Sequence, residues 1–305
     1  MRAITFSEFG GPEVLTLSEV PDPEPGPGQI RIAVKAAGVN PIDWKMRRGM
    51  MGGALPARSG YEAAGLVDRL GEGVDDVRLG DRVFGFAAGG GGAAELVLSS
   101  AYAPIPDGID FTVAAGLPVA VEAAARTLDL VGATAQRAAG LTIVINGAAG
   151  AVGSAAVQLG RARGARVIGT ASEANHDFLR ELGAEPVAYG EGLADRIRTL
   201  APDGVDGAID AAGHGALPDL VALTGATERV VTIADYPGAE ATGVRFSAGR
   251  GDERALYILK EIGPLLASGR FRSDVAATFP LAAAAEAHRA SESGHVRGKL
   301  ILLVD

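Results

Sequence analysis

Residues Thr142–Gly153 read TIVINGAAGAVG, an apolar β-branched run that gives way to residues with almost no side chain. The alanine-rich helical pattern AVGSAAVQLGRARG comes next, so the stretch reads as a strand, a tight turn and a helix. Ala148, Gly150 and Gly153 occupy the small-residue positions of a G-x-G-x-x-G turn, with alanine in the first and Gly147 just before it. Small residues there allow a sharp turn, close approach of a pyrophosphate to the backbone, and close packing of helix on strand. The helix start adds a partial positive charge that favours an anion. A turn kept small for steric reasons alone is the competing reading.

The segments beyond the turn support a nucleotide. The β-prone runs TIVI (142–145), RVIGT (166–170), PVAY (186–189), GAIDAAG (207–213) and RVVTIA (229–234) alternate with helical patterns. Strands spaced by helices pair in parallel through right-handed crossovers, which predicts a doubly wound Rossmann sheet. The first third is different: short β-prone runs separated by PDPEPGPG, GEGVDDVRLGD and the glycines at 89–92 predict a partly closed antiparallel β domain. ERALYILKEIGPLLAS (253–268) reads as one more helix, and the tail KLILLVD returns to β pattern and is expected to rejoin the first domain. The expected division is 1–117, 118–268 and 269–305.

An enzyme preferring NAD usually carries Asp or Glu at the end of the second strand, about 20 residues past the glycines, to hold the ribose hydroxyls. RVIGTASEAN places Ala171 there, with Ser172 and Asn175 next as hydrogen-bond donors for a 2′-phosphate. That favours NADPH. Glu173 lies close enough that a two-residue shift of the strand end reverses the preference.

Composition removes several classes of function. With 305 residues, 48% hydrophobic and 21% charged, the chain can bury a real core, and its formal net charge of −9 gives no general attraction to nucleic acid or to an acidic membrane surface. It has no cysteine, hence no disulfide, thiolate nucleophile or cysteine-based zinc site. The N-terminal MRAITFSEFGGPEVL lacks the pattern of a signal peptide and no apolar run approaches the about 18–20 residues of a membrane span, so a cytoplasmic location is expected. His176, His214, His288 and His295 form no metal-ligand spacing. His176 reads as a solvated residue at a helix start, with the 2′-phosphate as its alternative role. Ser59 and Ser154 lack the G-x-S-x-G context of a hydrolase nucleophile.

With GVNPIDWKMRRG (38–49), GYEAAGLVDRLGEGVDDVRLGDRVFG (60–85), NGAAGAVGSAAVQLGRARGARVIGTAS (146–172), LGAEPVAY (182–189) and GHVRGKLIL (294–302), the chain resembles the zinc-independent, zeta-crystallin-like quinone oxidoreductase branch of the medium-chain dehydrogenase/reductase superfamily. The resemblance implies a GroES-like, partly closed β-barrel catalytic domain interrupted by a Rossmann domain, and a homodimer. It matches Ala149, Gly150, Ala151, Val152 and Gly153 to the pyrophosphate turn, Ser172 and Tyr189 to contacts with the adenosine 2′-phosphate, Ile233 and Ala234 to the strand end beside the nicotinamide ribose, and Lys299 to a basic residue near the cofactor. Tyr189 as a cover for the sheet end and Lys299 as a flank of the last strand remain alternatives.

Where zinc-dependent relatives carry a cysteine this chain has Asn40, and Tyr61 replaces the histidine of Gly-His-Glu. The resemblance makes Asn40 and Tyr61 candidate donors to the oxygen of a quinone or enone substrate, where negative charge develops; a turn-forming Asn-Pro and a space-filling tyrosine are their structural alternatives. Trp44 lines the substrate pocket or belongs to the core. Ala123 stands where many relatives have a threonine touching the nicotinamide, and Glu122 replaces an apolar residue. Glu122 is expected to face solvent; an altered substrate or lost catalysis, leaving a cofactor-binding sensor or structural protein, is the other possibility, as is an enoyl-thioester or biosynthetic enone reductase.

Overall fold

The computed structural model describes residues 1–294 and 296–305; His295 lies outside the described residues. The chain forms two units, Met1–Val119 with Leu256–Asp305, and Ala120–Ala255. The first unit holds β1 (Arg2–Phe6), β2 (Thr16–Glu19), β3 (Ile30–Val39), β4 (Ala57–Arg58), β5 (Glu62–Leu70), β6 (Arg82–Phe86), β7 (Leu96–Ser99) and β8 (Ala101–Pro104). The second holds β9 (Thr142–Asn146), β10 (Arg166–Ala171), β11 (Glu185–Ala188), β12 (Gly207–Asp210), β13 (Val230–Thr232) and β14 (Arg245–Phe246). β15 (Val275–Pro280) and β16 (Lys299–Leu303) return to the first unit.

β3 organises the first unit. Its length is paired with β5 along one edge, while the other edge serves two strands in turn: Ile30–Ala33 pair with β7 and Ala36–Val39 with β16. One strand that changes partner along its length makes the sheet β15-β16-β3-β5-β6-β8 curl, and register shifts against β5 at Arg31/Ile32 and Val34/Ala36 sharpen the bend. A second, three-stranded sheet, β2-β1-β4, completes the unit. Ile4, Ile30, Ile32, Val83 and Leu302 fill its core. The expected tail strand is β16, antiparallel to β3.

The second unit is a parallel sheet of order β11-β10-β9-β12-β13-β14. The chain winds outward from β9 through β10 to β11, then crosses to β12 on the other side of β9. Strand order therefore reverses beside β9, which is where ligands bind in such sheets. Val144, Ile168, Val187, Leu193, Ile197 and Val230 form the core on one face. β14, with only two residues, carries too little pattern to be read from sequence.

The expected boundary at 268 moves to 255. The helix Ile258–Ala267 packs on β8 and belongs to the first unit, because its buried Ile258, Leu259, Ile262 and Leu266 make an apolar stripe that the β unit covers. Ile168 has no solvent exposure. Ile168→Ala is expected to lower the stability of the second unit by about 2–5 kcal/mol, read as faster hydrogen exchange of the β9 and β10 amides with those of β3 and β5 unchanged.

Candidate active site

The dinucleotide turn is built by steric exclusion. Gly147 has φ of +80°, and a Cβ on it would stand 2.7 Å from the Cβ of Ala212. A Cβ on Gly153 would stand 2.1 Å from the Gly147 carbonyl oxygen. Glycine is required at both positions. The helix Ala151–Ala162 starts at Gly150 with no side-chain cap, so its first N–H groups stay available to a ligand. Ala149, Gly150, Ala151 and Val152 are half-buried and Gly153 is buried.

Beneath this turn runs a line of side chains that sequence reasoning missed. Thr170 Oγ1 donates to Asn146 Oδ1 at 2.6 Å, Asn146 Nδ2 donates to Asp210 Oδ1 at 2.8 Å, and Thr232 Oγ1 donates to Asp210 Oδ2 at 2.7 Å. Four neighbouring strands, β10, β9, β12 and β13, are thus tied at their C-terminal ends by buried polar groups. The same atoms hold the loops: Gly147 N donates to Thr170 Oγ1 at 3.1 Å, Gly213 N to Asp210 Oδ1 at 2.8 Å, and Ala234 N to Thr232 Oγ1 at 3.1 Å. A signal was present. Each of the four is a polar residue at or next to the end of an apolar strand, in TIVIN, VIGTA, GAID and VVT.

Ala171 is the last residue of β10, where the specificity carboxylate of an NAD enzyme is expected. Ser172 and Asn175 are half-buried and joined, Asn175 Nδ2 donating to Ser172 Oγ at 3.1 Å, while Glu173 is exposed in the short turn between them. Tyr189 follows β11 and is 60% exposed; the carbonyls of Ala188, Gly190 and Glu191 around it accept from Arg196. Ile233 and Ala234 are half-buried at the end of β13. His176 is half-buried rather than solvated, its Nε2 covered and without a hydrogen-bond partner among the described residues.

Glu122 does not face solvent. It is 5% exposed, its Oε1 accepts from Arg126 Nε at 2.9 Å and from Ala255 N at 3.0 Å, and Arg126 continues to Ser247. Two helix residues four apart neutralise each other inside the unit and fasten the 247–255 segment. Burial of this glutamate is tolerated because arginine accompanies it. Ala123 is buried on the same helix.

In the first unit the expected donors meet a buried ion pair. Glu62, with no exposure, receives Asn40 Nδ2 at 2.8 Å and Lys299 Nζ at 2.7 Å on Oε1, and Val119 N at 2.7 Å on Oε2. Lys299 Nζ also donates to Asn40 Oδ1. The backbone makes room for this cluster: a Cβ on Gly38 would lie 2.0 Å from Glu62 Oε1, and one on Gly116 2.9 Å from Lys299 Cγ. Asn40 is 4% exposed and its amide is engaged at both ends, so it braces the ion pair. Tyr61, the residue between Gly60 and Glu62, is half-buried, and its carbonyl accepts from Ala87 N at 2.8 Å. Trp44 is half-buried beside Lys45 and Arg48, 5.7 and 5.9 Å from its ring.

This donor set does not suit zinc. An amide, a phenol and a carboxylate already bridged by an ammonium lack the thiolates and imidazoles such a site uses, and among the described residues no group of three or more His, Cys, Asp or Glu is arranged to hold a metal. Nor, among the described residues, is any helix long and apolar enough to cross a membrane.

A GroES-like β unit interrupted by a Rossmann unit with a dinucleotide turn defines a dehydrogenase/reductase of the medium-chain class. Family models agree: the alcohol dehydrogenase GroES-like domain matches residues 26–107 and the zinc-binding dehydrogenase model residues 182–302. Quinone oxidoreductase of Rattus norvegicus is 34% identical over 100% of this chain and 98% of its own. The chloroplastic NADPH-dependent alkenal/one oxidoreductase of Arabidopsis thaliana is 33% identical over 99% of this chain and 79% of its own. A mycobacterial protein solved in complex with NADPH superposes with a TM-score of 0.83 at 28% identity, covering all of both chains. The chain belongs to the zeta-crystallin-like quinone oxidoreductase family.

Asp43 adds a titrating group to the cluster. Its Oδ2 accepts from Asn40 N at 2.6 Å, and burial, aided by repulsion from Glu62, pushes the carboxyl up from 3.8 to about 7 against the pull of that N–H and of Lys299. The folded carboxyl keeps its proton to higher pH than the unfolded one. Its contribution to stability is therefore full below 3.8 and is lost as the pH rises through about 7. Measured by denaturant unfolding, the stability of wild type relative to Asp43→Asn should fall by about 1.4 kcal/mol per pH unit across that window; a constant difference would contradict the assignment. Removing half of the buried pair with Lys299→Met should cost about 3–5 kcal/mol in the same measurement, because Glu62 is left charged and enclosed.

Proposed function

We propose that the protein reduces quinones or α,β-unsaturated carbonyl compounds with NADPH as hydride donor and without a metal. The observation that carries this reading is the completeness of the dinucleotide turn in a chain whose catalytic unit closes its polar cluster around an ammonium, Lys299, in place of a metal ion. The names of the relatives support it: quinone oxidoreductase in the rat, alkenal/one reduction with NADPH in Arabidopsis.

The N–H groups of Ala149, Ala151, Val152 and Gly153 would hold the pyrophosphate, while Gly150, whose own N–H donates to the Gly147 carbonyl at 3.2 Å, lets it approach the main chain. Ser172, Asn175 and Tyr189 would hold the ribose phosphate of the adenosine half, and Ile233 and Ala234 the nicotinamide ribose. The absence of a carboxylate at Ala171 favours NADPH, the nearest one, Glu173, being exposed in the turn beyond the strand end. The bound nicotinamide supplies a hydride for an electron-poor C=C or ring. Tyr61 then has the role of hydrogen-bonding the substrate oxygen as charge builds there, with its backbone fixed by Gly60 and Glu62. Asn40 positions it by holding Glu62 and Lys299 together, and Trp44 offers an apolar surface to the substrate. The final proton comes from solvent or from Tyr61. The sensor reading loses one of its supports, because Glu122 has a structural partner in Arg126.

Purified protein mixed with NADPH and a panel of quinones and enones should consume the reduced nicotinamide, at least about tenfold more efficiently than NADH, a difference of roughly one charged contact. Tyr61→Phe should lower kcat by about 10²-fold while leaving NADPH binding intact. No oxidation above background across the panel would overturn the proposal.

A further inference from the structure

Tyr189 is 60% exposed, so packing does not hold it. It follows Ala188, the last residue of β11, whose register partner on β10 is Ala171. Ser172 follows Ala171 in the same way. The two residues assigned above to the 2′-phosphate therefore leave neighbouring strands at one level, their backbones roughly 5 Å apart. What fixes Tyr189 at that level is a single side chain of the helix Leu193–Leu200.

Arg196 Nε donates to the Ala188 carbonyl at 3.2 Å, and Nη2 donates to the same carbonyl at 3.0 Å and to that of Gly190 at 3.2 Å. Nη1 donates to the Glu191 carbonyl at 2.7 Å. Carbonyls from both sides of Tyr189 thus converge on one guanidinium, and Gly190 at φ +95° with Gly192 at φ +74° lets the chain curl around it. A planar fork of fixed donors is suited to holding several acceptors at once. Its N–H groups are taken up by the loop, so Arg196 serves the loop rather than a ligand. The root of the side chain is fixed in turn, since Leu193 and Ile197 of the same helix lie in the core of the second unit. Arg196, Glu173 and His176 also line one open depression of about 410 Å³, which brings the guanidinium up to the turn that carries Ser172 and Asn175.

We propose that Arg196 is a positioning residue for the choice of NADPH over NADH: by gathering the carbonyls of 188–191 it sets Tyr189 level with Ser172 and keeps three carbonyl oxygens from facing the negative charge of the 2′-phosphate. The assignment rests on the coenzyme reading given above. NADH has a free hydroxyl in place of that phosphate and makes no use of the arrangement.

Calorimetric titration of the full chain with NADPH and with NADH tests it. Arg196→Met should weaken NADPH binding about tenfold, the scale of one charge-assisted contact, and leave NADH within about twofold. Arg196→Lys keeps the charge and loses the fork, so it should remain at least about fivefold weaker for NADPH; it also decides the matter if Arg196→Met does not fold. Tyr189→Ala should weaken NADPH to a similar extent, and the double variant Tyr189→Ala with Arg196→Met should be no weaker than either alone. Equal loss for both coenzymes, or no loss for either, would reduce Arg196 to a structural tie and overturn the proposal. Full recovery in Arg196→Lys would overturn it in favour of charge alone, and losses that multiply in the double variant would show that Arg196 acts apart from Tyr189. Wild-type protein that binds NADPH no better than NADH would instead overturn the coenzyme reading, and this assignment with it.

Discussion

No side chain fits between the end of β9 and the first turn of the helix that succeeds it. A Cβ at residue 153 would press on the Gly147 carbonyl and one at 147 on Ala212. That exclusion brings helix and strand together so closely that only main chain lines the turn. Unfilled N–H groups at a helix start are an anion site by construction. The rest of the second unit serves to hold this edge still, through the Thr170–Asn146–Asp210–Thr232 line that joins four strand ends.

The first unit solves a comparable problem with charge. Glu62 is fully enclosed and would be strongly unfavourable alone. Lys299 from the last strand, Asn40 from the end of β3 and the Val119 amide together satisfy it. One consequence is structural, since the tail strand β16 is locked to the body of the sheet by its first side chain as well as by its backbone. Another is chemical: a buried ammonium stands beside Asn40, with Glu62 as its counter-charge.

Much of this was legible in the sequence, because it depends on local pattern. Strands alternating with helices gave the parallel sheet, and the glycines of 147–153 marked the turn, since a missing side chain is visible in one dimension. The order of the motifs carried the family. Pairings between distant residues were not legible. Glu122 looked like a surface glutamate until Arg126 and the Ala255 amide were placed beside it, and Lys299 looked like a flanking charge until β16 brought it 2.7 Å from Glu62. Asn40 was expected to offer its amide to a substrate, but neighbours 22 and 259 residues away use both of its ends. The helix at 258–267 was assigned to the wrong unit for the same reason, as its amphipathic stripe states that it packs and not on what.

The central claim is that bare main chain near residue 150 receives a phosphorylated nicotinamide dinucleotide, with the phosphate at the end of β10 preferred over free ribose hydroxyls. Calorimetric titration of the full chain with NADPH and with NADH measures this directly. Saturable binding of NADPH to one site per chain, tighter than that of NADH, is the result the account requires. Absence of heat with both coenzymes at millimolar concentration would contradict it.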